Sequence, residues 1–293
     1  MTPEQERGRL VGGEPPEWAC EWGEDEFGVY AGFCVGEVVQ RMRWIEQGEF
    51  WMGSPEDEEG RYEDEGPRFR ARLSAGFWLA DSPCTQALWV AVMGENPSGF
   101  QGEAWAQRPV ERVSWEDTQK FIAVLGAVVP GLEVGLPTEA QWEYACRAGS
   151  KEAPRYGPLD EVAWWRENSG GETHAVKQLR ANGWGLYDML GNVREWCADV
   201  WEEHYQVVEG EEPLRDRFVA GPGRGRAVRG GSWFGVARRV RAACRNGIDP
   251  GGRGDDLGFR LARGRRVERA LGQARSGVGA GDPPSAGRRP PKT

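Results

Sequence analysis

Apolar positions along this chain fall into a few regular registers separated by long irregular stretches. Over residues 18–39, aromatic and apolar residues alternate with acidic ones at a period of two, as half-buried strands do. Residues 42–53 continue the alternation on both sides of Gln47-Gly48 and predict a hairpin turning there; residues 70–79 predict a further strand. The spacing becomes helical over 85–93 after Pro83, and over 115–125 behind Ser114, with Glu116 and Asp117 in the first turn. A third helix is predicted over 138–148, where Thr138 and Gln141 can form a capping box. Residues 149–180 carry no period, and 183–196 are dense in aromatics and glycine, as core-building sequence is.

The segment 226–262 combines a regular frame with an irregular filling. Gly230, Gly231 and Gly258 mark bends or close backbone approaches, while Trp233, Val240, Leu257, Phe259 and Leu261 are spaced to enter a core. Between them, 234–236 and 248–256 show little period and much Gly, Asp and Arg, the composition of a binding loop held on a scaffold. Three regions are therefore expected. Residues 1–41 are an extension packed on the main domain, 42–263 the domain itself with 226–262 as its variable part, and 264–293 a basic, largely disordered tail. A short helix over 267–271 is the one exception in that tail.

Composition narrows the class. With 15 Trp and 43 Gly in 293 residues and little helical signal, the irregular backbone must be pinned by aromatic anchors, which predicts a loop-rich α+β fold. The net charge of −9 argues against a nucleic-acid-binding body, and both the acidic run 56–65 and the basic run 263–292 read as solvated surface. No apolar run is long enough to span a membrane, and the first ten residues lack the apolar core of a secretion signal, so a cytoplasmic protein is expected. The six cysteines are scattered without a CxxC pair and are expected as buried free thiols. His174 and His204 are too few for a histidine-rich metal centre or triad.

Six blocks then stand in order: GEFWMGS, VMGENPS, RPVERVSWEDTQKF, LPTEAQWEYACRAG, GLYDMLGNVREWCAD, and RGGSW with GFRLA. Over residues 42–262 this order resembles the formylglycine-generating-enzyme (sulfatase-modifying factor) family. The resemblance implies a C-type-lectin-like α+β fold of that subclass, loop-rich, with few helices and short antiparallel strands. Enzymatic members carry a cysteine pair shortly after the GGS block that binds copper, as soft thiolates do. Here 232–243 contains no cysteine, so the resemblance implies no oxidase activity and no required cofactor.

The chain also resembles the variable proteins of diversity-generating retroelements, which use this fold and place their diversified residues between GGSW and GFRLA. Diversification there acts on adenines in AAC codons, so varied positions lack Glu, Gln, Lys, Met and Trp. None of the five occurs over 234–262. The candidate varied positions are Phe234, Gly235, Val236, Arg239, Asn246, Ile248, Asp249, Gly252, Gly254, Asp255 and Asp256, framed by Arg241, Arg245, Pro250, Arg253 and Leu257. Phe234, Val236 and Ile248 would form an apolar anchor rimmed by Arg239 and Asp255, suited to a protein ligand bound by a monomer. The other readings are an ordinary family loop in a non-diversified regulatory or sensory domain and, third, a copper-dependent oxidase. The resemblance also implies calcium as an optional cation on Asn168, Asn192 and Glu195, against the alternative that Asn192 caps a turn and Glu195 pairs with an arginine.

Overall fold

The structure is a computed structural model describing residues 2–150, 154–207 and 212–264. Its largest sheet is antiparallel, in the order β1 (Glu21–Asp25), β2 (Gly28–Val35), β3 (Val38–Ile45), β6 (Phe77–Ala80) and β14 (Ala262–Arg263). A second sheet sets β4 (Gly48–Met52) antiparallel to β5 (Phe69–Leu73), with β10 (Leu214–Arg215) parallel on its other side. The third runs β12 (Arg245–Ile248), β11 (Arg226–Arg229), β9 (Arg194–Val200) and β13 (Leu257–Gly258), with only the last pair parallel. A short parallel pair, β7 (Ala163–Trp164) and β8 (Leu190–Gly191), completes the strands among the described residues.

The expected hairpin at Gln47-Gly48 is not formed. Its two arms are β3 and β4, which pair with β6 and β5 respectively and so belong to different sheets. The alternation was real, but a change of sheet leaves the same pattern as a turn. The strand expected over 70–79 is likewise divided into β5 and β6, and the Trp44 ring packs over the break: a Cβ on Gly76 would lie 2.2 Å from Trp44 Cζ2.

The three expected helices are present as α2 (Gln86–Met93), α3 (Trp115–Val128) and α4 (Glu139–Arg147), each capped by the hydroxyl of Thr85, Ser114 or Thr138. At α4 the box is reciprocal: Gln141 N donates to Thr138 Oγ1 at 3.1 Å, and Thr138 N to Gln141 Oε1 at 2.9 Å. A helix not expected from the polar N-terminus, α1 (Pro3–Val11), starts at a Thr2–Gln5 capping box and docks through Glu6, which accepts from Arg263 Nε at 3.1 Å. α5 (Leu159–Val162) is a single turn.

The cysteines need a correction. Cys20 and Cys34 form a disulfide across the start of the β1–β2 hairpin, where Glu21 lies opposite Gly32. Their separation of 14 residues leaves no short motif to read, because strand pairing brings them together. Cys84, Cys146 and Cys197 are buried free thiols as expected, and Cys244 is half-buried.

Two apolar cores meet at the third sheet. One holds Phe33, Trp78, Trp89, Phe121, Trp196 and Phe259, with Trp89 stacked on Phe121 at 5.1 Å and Phe259 edge-on to both. The other holds Phe77, Leu79, Trp142, Leu190 and Val240. Among the described residues no helix is long and apolar enough to cross a membrane. The helix expected over 267–271 and the basic tail beyond residue 264 lie outside the described residues.

Candidate functional site

The irregular segment begins where β11 ends, at Gly230-Gly231. Both have positive φ, 97° and 72°, and an added Cβ at Gly231 would stand 2.7 Å from Arg239 O, so only glycine lets the chain double back here. The chain then passes through Ser232 to a 3-10 turn over Ala237–Arg239.

Trp233, half-buried, pins the first turn. Its N donates to Asn192 O at 2.9 Å, its Nε1 to Asp255 O at 3.1 Å, and its carbonyl accepts from Ser169 Oγ at 2.8 Å. Phe100 meets the Trp233 ring edge-on at 5.4 Å, and buried Glu111 fixes the loop carrying Phe100 by accepting from the Gly99 and Phe100 N–H groups at 2.6 and 2.9 Å. Burial pushes the Glu111 carboxyl above the usual range.

Beneath this loop lies a layer of arginines paired with carboxylates. Arg245, from β12, grips Glu139 of α4 at 2.7 and 2.9 Å and donates to Asp64 O at 2.8 Å and Glu202 O at 2.9 Å. Arg229 pairs with Glu143 and donates to the carbonyls of Ala243 and Cys244 at 2.8 and 2.9 Å. Arg241 ties the acidic loop to the segment, reaching Glu58 and Glu65 and donating to Gly60 O at 3.0 Å. Burial alone would lower the Arg245 pKa, but the Glu139 charge outweighs it and holds the guanidinium charged. Removing one partner of such a pair leaves an uncompensated buried charge, which costs about 3–5 kcal/mol.

On this layer rests a cavity of about 130 Å³. Of the candidate varied residues it gathers Phe234, Gly235, Arg239, Asn246 and Asp256; Tyr62, Asp64, Arg194, Arg229, Ser232, Cys244 and Arg245 complete the parts of its wall that carry polar chemistry. A wider, more open cleft of about 700 Å³ gathers Gly254 and Asp255 with Glu95, Arg112, Lys120 and Arg253. Val236, Ile248, Asp249 and Gly252 line neither space.

Three expectations change. The expected exposed anchor is not formed: Phe234, Val236 and Ile248 are all half-buried, and Ile248 packs against the first core. Asp249 is exposed, but its Oδ1 accepts from Gly251 N at 2.9 Å and so shapes a turn. Asp256 is 3% exposed and accepts from Arg194 Nε and Nη2, which makes it part of the frame.

The wall residues not singled out from the sequence are Tyr62, Asp64, Arg194, Val228, Arg229, Ser232 and Cys244. The acidic run 56–65, expected as solvated surface, instead finds counter-ions in the arginine-rich run 238–245, where Arg241 pairs with Glu58 and Glu65. Arg239 Nε lies 3.4 Å from Tyr62 Oη, and Arg238 stacks over the Tyr62 ring at 4.0 Å.

Asn168, Asn192 and Glu195 are each engaged by protein. Asn168 Oδ1 accepts from Trp165 N at 2.8 Å, and Asn192 Oδ1 from His174 N at 3.1 Å. Glu195 accepts from Arg260 Nε and Nη2, both at 2.7 Å, and from Trp142 Nε1 at 2.7 Å. Among the described residues no group of three or more His, Cys, Asp or Glu is placed to hold a metal ion. Nor does the cavity suit copper(I): it offers one thiol, Cys244, which burial pushes up to about 12 and so keeps neutral, where a copper site needs paired thiolates.

A model of the family described as "Sulfatase-modifying factor enzyme 1-like domain" matches residues 27–265. Among solved structures, Treponema denticola variable protein 1 is similar at a TM-score of 0.69 and 30% identity, covering 80% of this chain and 98% of that one. PvdO from Pseudomonas aeruginosa is similar at 0.68 and 28% identity, covering 80% and 97%. The formylglycine-generating enzyme of Streptomyces coelicolor is 33% identical over an alignment of 199 residues that covers 59% of this chain and 60% of that enzyme.

Proposed function

Given that the chain belongs to the sulfatase-modifying factor enzyme 1-like family and has its C-type-lectin-like α+β fold, we propose that it is a non-catalytic ligand-binding protein. In this reading it is a variable protein of the diversity-generating-retroelement type, a monomer whose irregular C-terminal loop meets a partner protein.

One observation carries the reading: Phe234, Gly235, Arg239 and Asn246 come from separate stretches of the candidate segment and converge on one cavity, above a layer of ion pairs that does not depend on them. Surface chemistry can then change without touching the support. The likeness to Treponema denticola variable protein 1 over nearly all of that chain supports the same role. The unsuitability of the cavity for copper argues against the oxidase. The Cys20–Cys34 disulfide argues for an oxidising compartment over the cytoplasmic setting expected from the sequence.

The test is to sequence the DNA flanking the gene. A second, near-identical copy of the 3′ coding segment, carrying adenines at the codons for the cavity residues, is the expected result. Its absence would return the chain to a non-diversified regulatory or sensory binding role. Retention of copper by the purified protein would instead favour the oxidase.

A further inference from the structure

We propose that a second cavity, at the end of β11 remote from Gly230-Gly231, binds a small molecule that joins an apolar body to one carboxylate, with Arg226 as its counter-ion. This site goes beyond the ligand-binding loop and does not depend on it. Its volume of about 500 Å³ lies within the range of small-molecule sites, about 300–1,000 Å³, whereas the cavity beside the loop holds about 130 Å³. The walls are mostly hydrocarbon. Trp115 and Ile122 come from one face of α3, Val134 and Leu136 from the segment after it, and Phe218 and Pro222 from the approach to β11. Phe121 and Leu125, elsewhere on α3, are buried in the first core, so the helix has an apolar surface left over for the cavity.

Only two residues of the described wall are charged, Arg226 and Glu133. Arg226 is half-buried and already positioned: its guanidinium lies over the Trp115 ring at 4.1 Å, Nη1 donates to Ala198 O at 3.1 Å, and Nη2 to Gly221 O at 3.4 Å. Its Nε has no partner among the described residues and is open to solvent, so a carboxylate can approach it and the free hydrogens on the Nη atoms.

No carboxylate of the described residues forms an ion pair with Arg226. Burial lowers its pKa, and the one carboxylate charge that opposes this is Asp199. Asp199 is itself fully buried, spends its oxygens on the Glu139 and Val219 N–H groups, and has its pKa pushed up to about 7. It therefore carries only part of a charge at neutral pH. Glu133 stands at the rim with its side chain 62% exposed, 3.8 Å from Arg263. A half-buried cation beside apolar walls gains most from an anion that brings its own hydrocarbon cover. One guanidinium answers one negative charge, which selects a monocarboxylate.

The experiment titrates the full chain, by calorimetry at low salt, with 2-naphthylacetate, with 2-naphthylacetamide, which keeps the shape and loses the charge, and with 2-(2-naphthyl)ethylamine, which reverses it. The acid is expected to bind at least about tenfold more tightly than the amide, about 1.4 kcal/mol in free energy, and the amine most weakly. Arg226→Gln is expected to remove the preference for the acid. Glu133→Gln, which deletes the anion of the wall, should strengthen acid binding, and Ile122→Trp, which fills the apolar side, should weaken acid and amide alike by at least about tenfold. Equal binding of acid and amide, tighter binding of the amine, unchanged affinity in Ile122→Trp, or no binding of any probe would overturn the proposal. Should Arg226→Gln fail to fold, the comparison of acid with amide in the parent chain, together with the sign of the Glu133→Gln effect, decides.

Discussion

Asp256 is held by Arg194 in a two-pronged pair, Nε to Oδ2 at 2.6 Å and Nη2 to Oδ1 at 2.7 Å, with Ser232 Oγ adding a third contact at 3.2 Å. The backbone of Arg194 also donates to Asp256 O at 2.7 Å. The end of the irregular segment is thereby fastened to β9, so support and contact surface interleave residue by residue along the loop.

Asp256→Ala is therefore expected to destabilise the protein by about 1.5–3 kcal/mol, since it strips a charged hydrogen-bond partner from Arg194. Phe234→Ala should cost about 1 kcal/mol or less while changing ligand affinity. Urea denaturation of both variants checks the contrast, and equal losses would sink the division of the loop into support and contact.

Trp233→Ala belongs with the first class. The ring is only half-buried, but it closes the loop onto Asp255 and packs against Phe100, so about 2–3 kcal/mol is expected, somewhat less than for a fully buried tryptophan. Hydrogen exchange should show part of the loss spreading to residues 96–101, which touch Trp233 through Phe100.

Glu195 is expected to behave as a buried ion-pair partner. Arg260→Met should cost about 3–5 kcal/mol by leaving that carboxylate uncompensated, and added calcium should leave the melting temperature of the parent protein unchanged. A melting temperature that rises with calcium would show that Glu195 exchanges Arg260 for a cation.

Thiol counting tests the disulfide. Denatured without reductant, the protein should show four reactive thiols, those of Cys84, Cys146, Cys197 and Cys244. Reduction should free two more and lower stability by about 3 kcal/mol, as expected for a loop of this length. Six thiols without reductant would remove the pair.

Asp199 gives a signed pH dependence. Burial, reinforced by the charge of Glu139, pushes its pKa up to about 7 in the folded protein, against the Glu139 and Val219 N–H groups that it accepts from. A carboxyl whose folded pKa lies above its unfolded value binds its proton better when folded. Its contribution to stability is complete below about pH 4 and is lost as pH rises through about 7. Asp199→Asn should flatten that part of the pH–stability curve. A variant whose curve keeps the same slope between pH 4 and 7 would assign the dependence elsewhere.

How much could be read in advance followed the range of each interaction. The Thr138–Gln141 box and the caps of α2 and α3 are formed within a few residues of their own hydroxyls, so three helices were legible. The glycines at 230 and 231 announced the start of the loop for the same reason. Partners distant in sequence left no such trace. Nothing local says that β3 and β4 enter different sheets, that Cys20 meets Cys34, or that Arg245 crosses 106 residues to Glu139. The candidate site was half legible because one wall belongs to the arginine-rich loop, while the other is an acidic stretch whose composition suits solvent until its counter-ions are found.

The pairing of β14 with β6 sets a condition on how this protein is made. The strand that completes the largest sheet is supplied by residues 262–263, and Phe259 O accepts from Cys84 N at 2.8 Å just before it. Residues 77–84 must therefore wait on the ribosome for some 180 further residues, including the entire irregular loop, before their edge is covered. A loop sequence that misdirects residues 257–263 leaves that edge open in every molecule synthesised. Completion of the largest sheet is thus the last step the chain order allows, and the end of the irregular loop decides whether it happens.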